Sequence, residues 1–377
     1  MKKKIAVILG NFSIGARPLD FHFNNIYESS RALTGTDLSF VEISKALHKR
    51  GHDVHMFTLH AQPYHKPTHW EGIPIYNFDE RFSVVDDSFD VILSINEPDA
   101  IRGMNQKPLK ICWQFLNDFT YCHPGFDDFV DKWIGVSDVQ VNHLVSQPNA
   151  PAAEKWSIVP LGCNPDNYRD ERVEGRCVWT SSWDRGLHWL LSCWPTIKKA
   201  VPSANLRIFY HFERSSVLDI EPNDPNMHVH TREMGQRLRY CLYAIERLKP
   251  LGVECVGSVS ANSMIKEMNE ASVLAFPADP VAFTEGYSLS ILNALASYTV
   301  PCITDADCLF SIYKDSGAVI VPRNMNKHLD KYAQEVIKYL NNKNESDRVI
   351  AKCTAFAKTK DWKLIAEQME QEFKSKG

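Results

Sequence analysis

The chain has 377 residues, 44% of them hydrophobic and 23% charged, which is too long for one ordinary core and predicts two domains. A formal net charge of −4 argues against nonspecific affinity for nucleic acid or an anionic membrane surface. Ten cysteines lie scattered with no Cys-x-x-Cys pair, a pattern that fits reduced cytoplasmic thiols rather than a disulfide framework or a zinc site.

In chain order, Met1-Lys2-Lys3-Lys4 looks like the start of a signal peptide. The apolar run behind it, Ile5–Leu9, is too short for that and reads as a buried first strand. A helix over Leu38–Arg50 carries apolar residues at 40, 43 and 47 and stops at Gly51, with Lys49 and Arg50 in its last turn. Thr36 or Asp37 is placed to cap its start. Further strands are expected at Val54–Thr58, Val91–Ile95, Lys110–Phe115 and Trp133–Val136, while the loop from Ala61 to Asn77 has no decodable pattern. A second series follows at Arg176–Thr180, Leu206–Tyr210, Val253–Val256, Val273–Phe276, Pro301–Thr304 and Ala318–Val321. The tail from Ala355 to Phe373 reads as one charged amphipathic helix with Trp362 and Ile365 on its apolar side. No segment is long and apolar enough to span a membrane. Alternating strands and helices predict an α/β chain with two doubly wound parallel sheets. The expected division is 1–160, 161–354 and a terminal helix over 355–377.

The most informative stretch is Phe283-Thr284-Glu285-Gly286-Tyr287-Ser288-Leu289-Ser290-Ile291-Leu292-Asn293-Ala294-Leu295-Ala296. It follows the apolar run Ala271 to Pro277, takes helical spacing at Leu289, Leu292 and Leu295, and precedes the strand at Val300-Pro301-Cys302-Ile303. A glycine-containing turn that opens a helix offers free backbone N–H groups and a positive dipole end, a seat for phosphate. Glu285 at its lip suits a sugar hydroxyl better than an anion. An ordinary strand–turn–helix with an acidic first turn is the other reading of these residues.

The stretch resembles the Glu-x7-Glu segment of the retaining GT-B glycosyltransferases of family 4, typically E-G-F-G-L-P-x-L-E-A-M-A. Glu285 matches the first Glu, whereas Asn293 stands where the second is usual. Arg50-Gly51-His52-Asp53-Val54 is similar to the R-G-H-E-V of the family's first domain. Trp156-Ser157-Ile158-Val159-Pro160-Leu161-Gly162-Cys163-Asn164 is similar to its domain junction, V-I-P-N-G-V-D. Val178-Trp179-Thr180-Ser181-Ser182-Trp183-Asp184-Arg185-Gly186-Leu187 stands where the family writes G-R-L-x-x-x-K-G. A related subgroup writes that stretch S-S-P-D-R-G-L. The resemblance covers essentially the whole chain in order.

It implies a GT-B fold, two Rossmann-like domains facing a cleft, with the acceptor bound by the first and a nucleotide-diphosphate sugar by the second. The terminal helix would cross back to the first domain. Arg185 takes the place of the phosphate-clamping Lys, and a guanidinium can fork onto two phosphate oxygens. The residue-based alternative for Arg185 is a surface pair with Asp184 or Asp305. The second cation of the pattern falls on Thr180, beside Ser181, so one positive charge is missing. By resemblance Glu285 bonds sugar hydroxyls, with Gly286, Tyr287 and Ser288 completing the turn. The amides near Leu289 and Ser290 then face the diphosphate, and Asn293 takes the ribose position. In the first domain Gly35 and Thr36 occupy the place of the family's G-G-x-E loop. His123 or Asp118 is a cleft candidate, with His123 positioned to touch the transferred sugar, and Glu97 is a further acceptor-side candidate.

Two motifs are set aside. Gly10-x4-Gly15 lacks the Lys-Ser/Thr of a P-loop. Asp305-Ala306-Asp307 has the Asp-x-Asp form of metal-binding GT-A enzymes but lies late, after a strand. The expected function is therefore retaining transfer from a nucleotide-diphosphate sugar with no metal and no cofactor. The acceptor, whether carbohydrate, lipid, protein or small molecule, is open, and nucleic acid is not an expected partner. The alternatives are a noncatalytic nucleotide- or sugar-binding subunit, for which Asn293 and Thr180 speak, and another GT-B enzyme such as a sugar-nucleotide epimerase.

Overall fold

The computed structural model describes residues 2–10, 23, 26–28, 33–58, 68–210, 212 and 229–374. Gly15 of the set-aside glycine motif and residues 61–67 of the undeciphered loop lie outside them. The chain divides into two compact units, Met1–Gly162 with Lys360–Gly377, and Cys163–Thr359.

The first unit opens with β1 (Lys4–Leu9), α1 (Gly35–Lys49), β2 (Asp53–Thr58), β3 (Thr68–Trp70) and β4 (Ile73–Asn77). It continues with α2 (Arg81–Val84), β5 (Val91–Ile95), β6 (Leu109–Trp113), β7 (Lys132–Gly135), α3 (Asp138–Val145) and β8 (Trp156–Ile158). These strands form one sheet in the order β3-β4-β2-β1-β5-β6-β7-β8, parallel except for the β3–β4 hairpin. β1, β5 and β6 are apolar along nearly their whole length and bury both faces, as parallel strands flanked by helices must.

The second unit runs β9 (Arg176–Trp179), α4 (Leu187–Ala200), β10 (Asn205–Ile208), α5 (Val229–Leu248), β11 (Val253–Cys255) and α6 (Ala261–Asn269). Then come β12 (Val273–Phe276), α7 (Leu289–Ala296), β13 (Val300–Thr304), α8 (Leu309–Tyr313), β14 (Val319–Val321), α9 (Met325–Asn341) and α10 (Lys343–Lys358). Its sheet is parallel throughout in the order β11-β10-β9-β12-β13-β14. Trp179, Trp194, Phe276, Tyr313 and Tyr332 fill its core.

In each sheet the strand order reverses once, at β1/β5 in the first and at β9/β12 in the second. Doubly wound sheets bind ligands outside the carboxyl ends of the strands at such a switch point. Both units are therefore doubly wound, as the strand and helix alternation predicts.

Three local expectations change. The first helix begins at Gly35, capped by Thr34 rather than by Thr36 or Asp37. Thr34 Oγ1 accepts from the Asp37 amide at 3.2 Å, and the Asp37 carboxylate accepts from the Thr34 amide at 2.9 Å. This reciprocal box satisfies two end donors at once, so it outcompetes a later start. The tail is two helices, because α10 ends at Lys358 and α11 (Trp362–Glu372) starts anew, with the Asp361 carboxylate accepting from the Lys363 amide at 2.8 Å. Finally, residues 68–77 of the undeciphered loop form the β3–β4 hairpin.

α11 packs within the first unit. Arg50 reaches Glu370 at 2.6 Å and Glu367 at 2.7 Å, and His52 Nε2 lies 2.8 Å from the Glu370 carboxylate. Trp362 packs edge-on against Trp113, and a Cβ on Gly162 would sit 2.6 Å from its ring. The Arg50-Gly51-His52 motif thus serves to anchor this helix.

Candidate active site in the second unit

β9 ends at Trp179, and its extension turns sharply through Trp183–Arg185 into Gly186. Gly186 has φ +124°, and a Cβ there would lie 2.2 Å from the Pro277 carbonyl oxygen, so only glycine lets the two backbones meet. The Asp279 amide donates to the Arg185 carbonyl at 2.9 Å. These two contacts bind the loop after β9 to the segment after β12, at the switch point.

Across this junction Arg185 Nη1 donates to Glu285 Oε1 at 2.8 Å. Its Nε lies 3.5 Å from Asp184, while Nη2 makes no hydrogen bond among the described residues. The guanidinium therefore pairs with Glu285 and Asp184, and not with Asp305, whose carboxylate instead accepts from the Arg323 amide at 2.6 Å. About a quarter of the Arg185 side chain is exposed, against 4% of that of Glu285. Burial pushes the Glu285 carboxyl above its ordinary range, and the Arg185 charge pulls against that rise. For Arg185, burial lowers the pKa, but Glu285, Asp184 and Asp307 together outweigh it and the net shift is upward.

Glu285 is held from behind. The Asp307 carboxylate accepts from the amides of Thr284 and Glu285 at 2.9 and 3.0 Å. α7 then opens at Ser288, whose Oγ accepts from the Ile291 amide at 3.4 Å. The amides of Leu289 and Ser290 keep no partner among the described residues and sit at the positive end of α7. Ser290 Oγ donates to the Thr180 carbonyl at 2.8 Å, which fixes α7 to the end of β9. Asn293 lies three residues on, on the same helical face. The Tyr287 hydroxyl is buried without a hydrogen-bond partner among the described residues.

The structure thus brings together Thr180, Ser181, Arg185 and the run from Glu285 to Ser290. Of the residues around them, Asp184 is named in the sequence only as a pairing alternative for Arg185, whereas Asp279, Asp307 and Arg323 carry no sequence expectation as parts of this site. Arg323 joins Asp279 at 2.9 Å and Asp307 at 3.3 Å. The Asp-x-Asp pattern is the available signal for Asp307, although in sequence it reads only as a metal motif. Among the described residues no cluster of three or more His, Cys, Asp or Glu is arranged to hold a metal.

In the first unit, Gly35 and Thr36 form the first turn of α1. Glu97 follows β5 at the switch point, and its carboxylate accepts from the Gly10 amide, after β1, at 2.7 Å. Burial raises the Glu97 carboxyl to about 7, against the Gly10 amide and Arg81, which lower it. Asp118 is engaged locally, accepting from the Thr120 amide and hydroxyl at 3.0 and 2.7 Å. His123 is largely exposed and lies 3.2 Å from Asp99. Neither is joined to Glu97 by a hydrogen bond.

No protein-family profile matches the chain, and no curated protein sequence matches it. Solved structures do. Trehalose-6-phosphate synthase OtsA superposes with a TM-score of 0.69 at 10% identity, covering 99% of both chains. Sucrose-phosphate synthase (tll1590) from Thermosynechococcus elongatus gives 0.67 at 13% identity, covering 99% of this chain and 98% of that one. Anabaena Alr3699/HepE, in complex with UDP-glucose, gives 0.64 at 11% identity over 98% and 99%. At such identities the likeness establishes the architecture: this chain has the GT-B glycosyltransferase fold.

Proposed function

We propose that this protein transfers a sugar from a nucleotide-diphosphate donor to an acceptor, with retention of configuration and without a metal. The observation that carries the reading is the meeting of Arg185 and Glu285, 100 residues apart in sequence, at the opening of α7. Cleaving the sugar–phosphate bond builds negative charge on the leaving diphosphate. Nη2 of Arg185 and the free amides of Leu289 and Ser290 are the donors that stabilise it, fixed in place before the reaction begins. The free lone pairs of Glu285 take sugar hydroxyls, and its pairing with Arg185 opposes the rise in its pKa on burial and aims the side chain. Asn293 takes the ribose hydroxyls, with one carbonyl acceptor in place of a carboxylate.

The first unit supplies the acceptor side. Among Gly35, Thr36, Glu97, Asp118 and His123, the position of Glu97 at the switch point favours it most. The acceptor is a hydroxyl-bearing carbohydrate, lipid, protein or small molecule. None of the ten cysteines is in a disulfide, which suits a cytoplasmic protein, and no described helix is long and apolar enough to cross a membrane.

The test is product analysis with UDP-glucose and other nucleotide sugars in the presence of EDTA. Release of nucleotide diphosphate with a product of unchanged anomeric configuration by NMR is expected. A product of inverted configuration, or activity abolished by EDTA, contradicts the proposed mechanism. A noncatalytic donor-binding subunit is the second reading, favoured by Asn293 and by the absence of a second cation at Thr180. It predicts donor affinity without product.

A further inference from the structure

Asp307 makes contacts that neither a metal motif nor a surface acid explains. Its side chain is only 4% exposed. One carboxylate oxygen accepts from two successive amides, Thr284 at 2.9 Å and Glu285 at 3.0 Å. The other faces Arg323 Nη1 at 3.3 Å. Asp307 holds this arrangement from a left-handed backbone, φ +48°, which residues other than glycine rarely adopt and which Asp and Asn tolerate best. Returning along the chain, the Cys308 amide donates to the Glu285 carbonyl at 3.2 Å. The loop after β13 therefore clamps the Glu285 peptide from both sides. Arg323 extends the strut, reaching Asp279 at 2.9 Å and the Pro280 carbonyl at 2.6 Å in the segment after β12.

We infer that Asp307 is the positioning residue of the donor-sugar site: it fixes the Thr284–Glu285 backbone and so aims the Glu285 carboxylate at sugar hydroxyls. The inference rests on the reading of Glu285 as the sugar-binding group. A carboxylate is needed because two parallel N–H donors converge on one oxygen while a guanidinium stands at the other, and charge-assisted acceptors hold such donors most firmly. Asp305 and Asp307 thus fold back onto the protein's own amides and arginine.

The test compares Asp307→Gly and Asp307→Asn with the unaltered full-length chain. Glycine suits the left-handed backbone, so it removes the carboxylate without straining the turn. Asparagine keeps one acceptor oxygen and the conformation. Two measurements are made: hydrogen exchange of the peptide containing Thr284 and Glu285, and affinities for UDP and UDP-glucose as probes. Asp307→Gly is expected to speed the exchange at least tenfold and to cut the preference for UDP-glucose over UDP about tenfold, with UDP affinity within twofold of the original. Asp307→Asn recovers part of both effects. Exchange at the original rate overturns the inference, as does faster exchange with undiminished sugar preference. If the unaltered chain binds neither probe, the reading of the donor site fails instead, and the exchange ratio alone decides whether Asp307 holds the loop.

Discussion

Replacing Arg185 with alanine separates the two roles proposed for it, in turnover and in stability. For turnover, loss of one preorganised donor to a developing oxyanion costs about 2.7–4 kcal/mol of transition-state stabilisation, roughly a hundredfold to a thousandfold in kcat. For stability, Glu285 is left in a site where it is 3% exposed and its partner at 2.8 Å is gone. Breaking a buried pair by removing one member costs roughly 3–5 kcal/mol when the remaining charge stays ionised. The carboxyl can instead take up a proton, because burial already raises its pKa and Arg185 is the main force lowering it. A group whose folded pKa is raised contributes stability that is present at low pH and lost as pH climbs through the folded value. Arg185→Ala should therefore melt close to the unaltered protein below the ordinary carboxyl range, and progressively lower as pH rises above it. At neutral pH the deficit should be on the order of 10 °C in the melting of the second unit. Adding Glu285→Gln to Arg185→Ala should restore much of the melting temperature and none of the turnover. Unfolding followed by circular dichroism across pH, with single-turnover kinetics, reads both quantities. Unchanged turnover removes Arg185 from the mechanism, and a pH-independent melting difference refutes the buried-pair argument.

Three further expectations concern single positions. Glu97, raised to about 7 in the fold, contributes stability that is full below its unfolded value and lost as pH rises through about 7. Glu97→Gln should therefore flatten the fall in stability of the first unit from about pH 5 to 8, an effect on the order of 2–3 kcal/mol readable by denaturant melts. Asn293→Glu should tighten nucleotide-diphosphate binding by roughly fivefold to tenfold by calorimetry, since a charge-assisted hydrogen bond exceeds a neutral one by about 1 kcal/mol. An unchanged or weakened affinity removes Asn293 from the ribose site. Gly186→Ala should destabilise the second unit by more than about 1 kcal/mol, because it combines φ +124° with a Cβ 2.2 Å from the Pro277 oxygen. A thermal melt unchanged from the original contradicts that geometry.

The double-wound architecture was legible because its central strands are short, continuous apolar runs. Val91–Ile95 and Val273–Phe276 match the expected strands residue for residue. What escaped has physical reasons. β3 and β4 are an edge hairpin with Pro74 in its second strand, so neither apolar continuity nor propensity marks them. β8 is half exposed and lies in a stretch read as the domain junction. The break between α10 and α11 depends on the Asp361 cap, a signal hidden inside a charged periodic run.

At the site, local motifs exposed Glu285, Arg185 and the opening of α7. Their pairing was not legible, since it depends on the docking of two loops through Gly186. Asp307 escaped because its work is done through backbone amides and a left-handed φ, neither of which leaves a spacing pattern. The residues of the first unit were read by position alone. Of these only Glu97 gains a structural argument, from its bond to Gly10 at the switch point.

The central claim is a metal-independent donor site in the second unit, and ligand-induced thermal stabilisation tests it most directly. Purified protein is melted with a panel of nucleotide diphosphates and their sugars, with and without EDTA. A ligand at 100 times its dissociation constant adds about 2.7 kcal/mol, a shift of roughly 5–10 °C for a unit of this size. A selective shift unaffected by EDTA and lost in Arg185→Ala is the predicted result. A shift that disappears with EDTA, or no shift with any nucleotide, would contradict the claim.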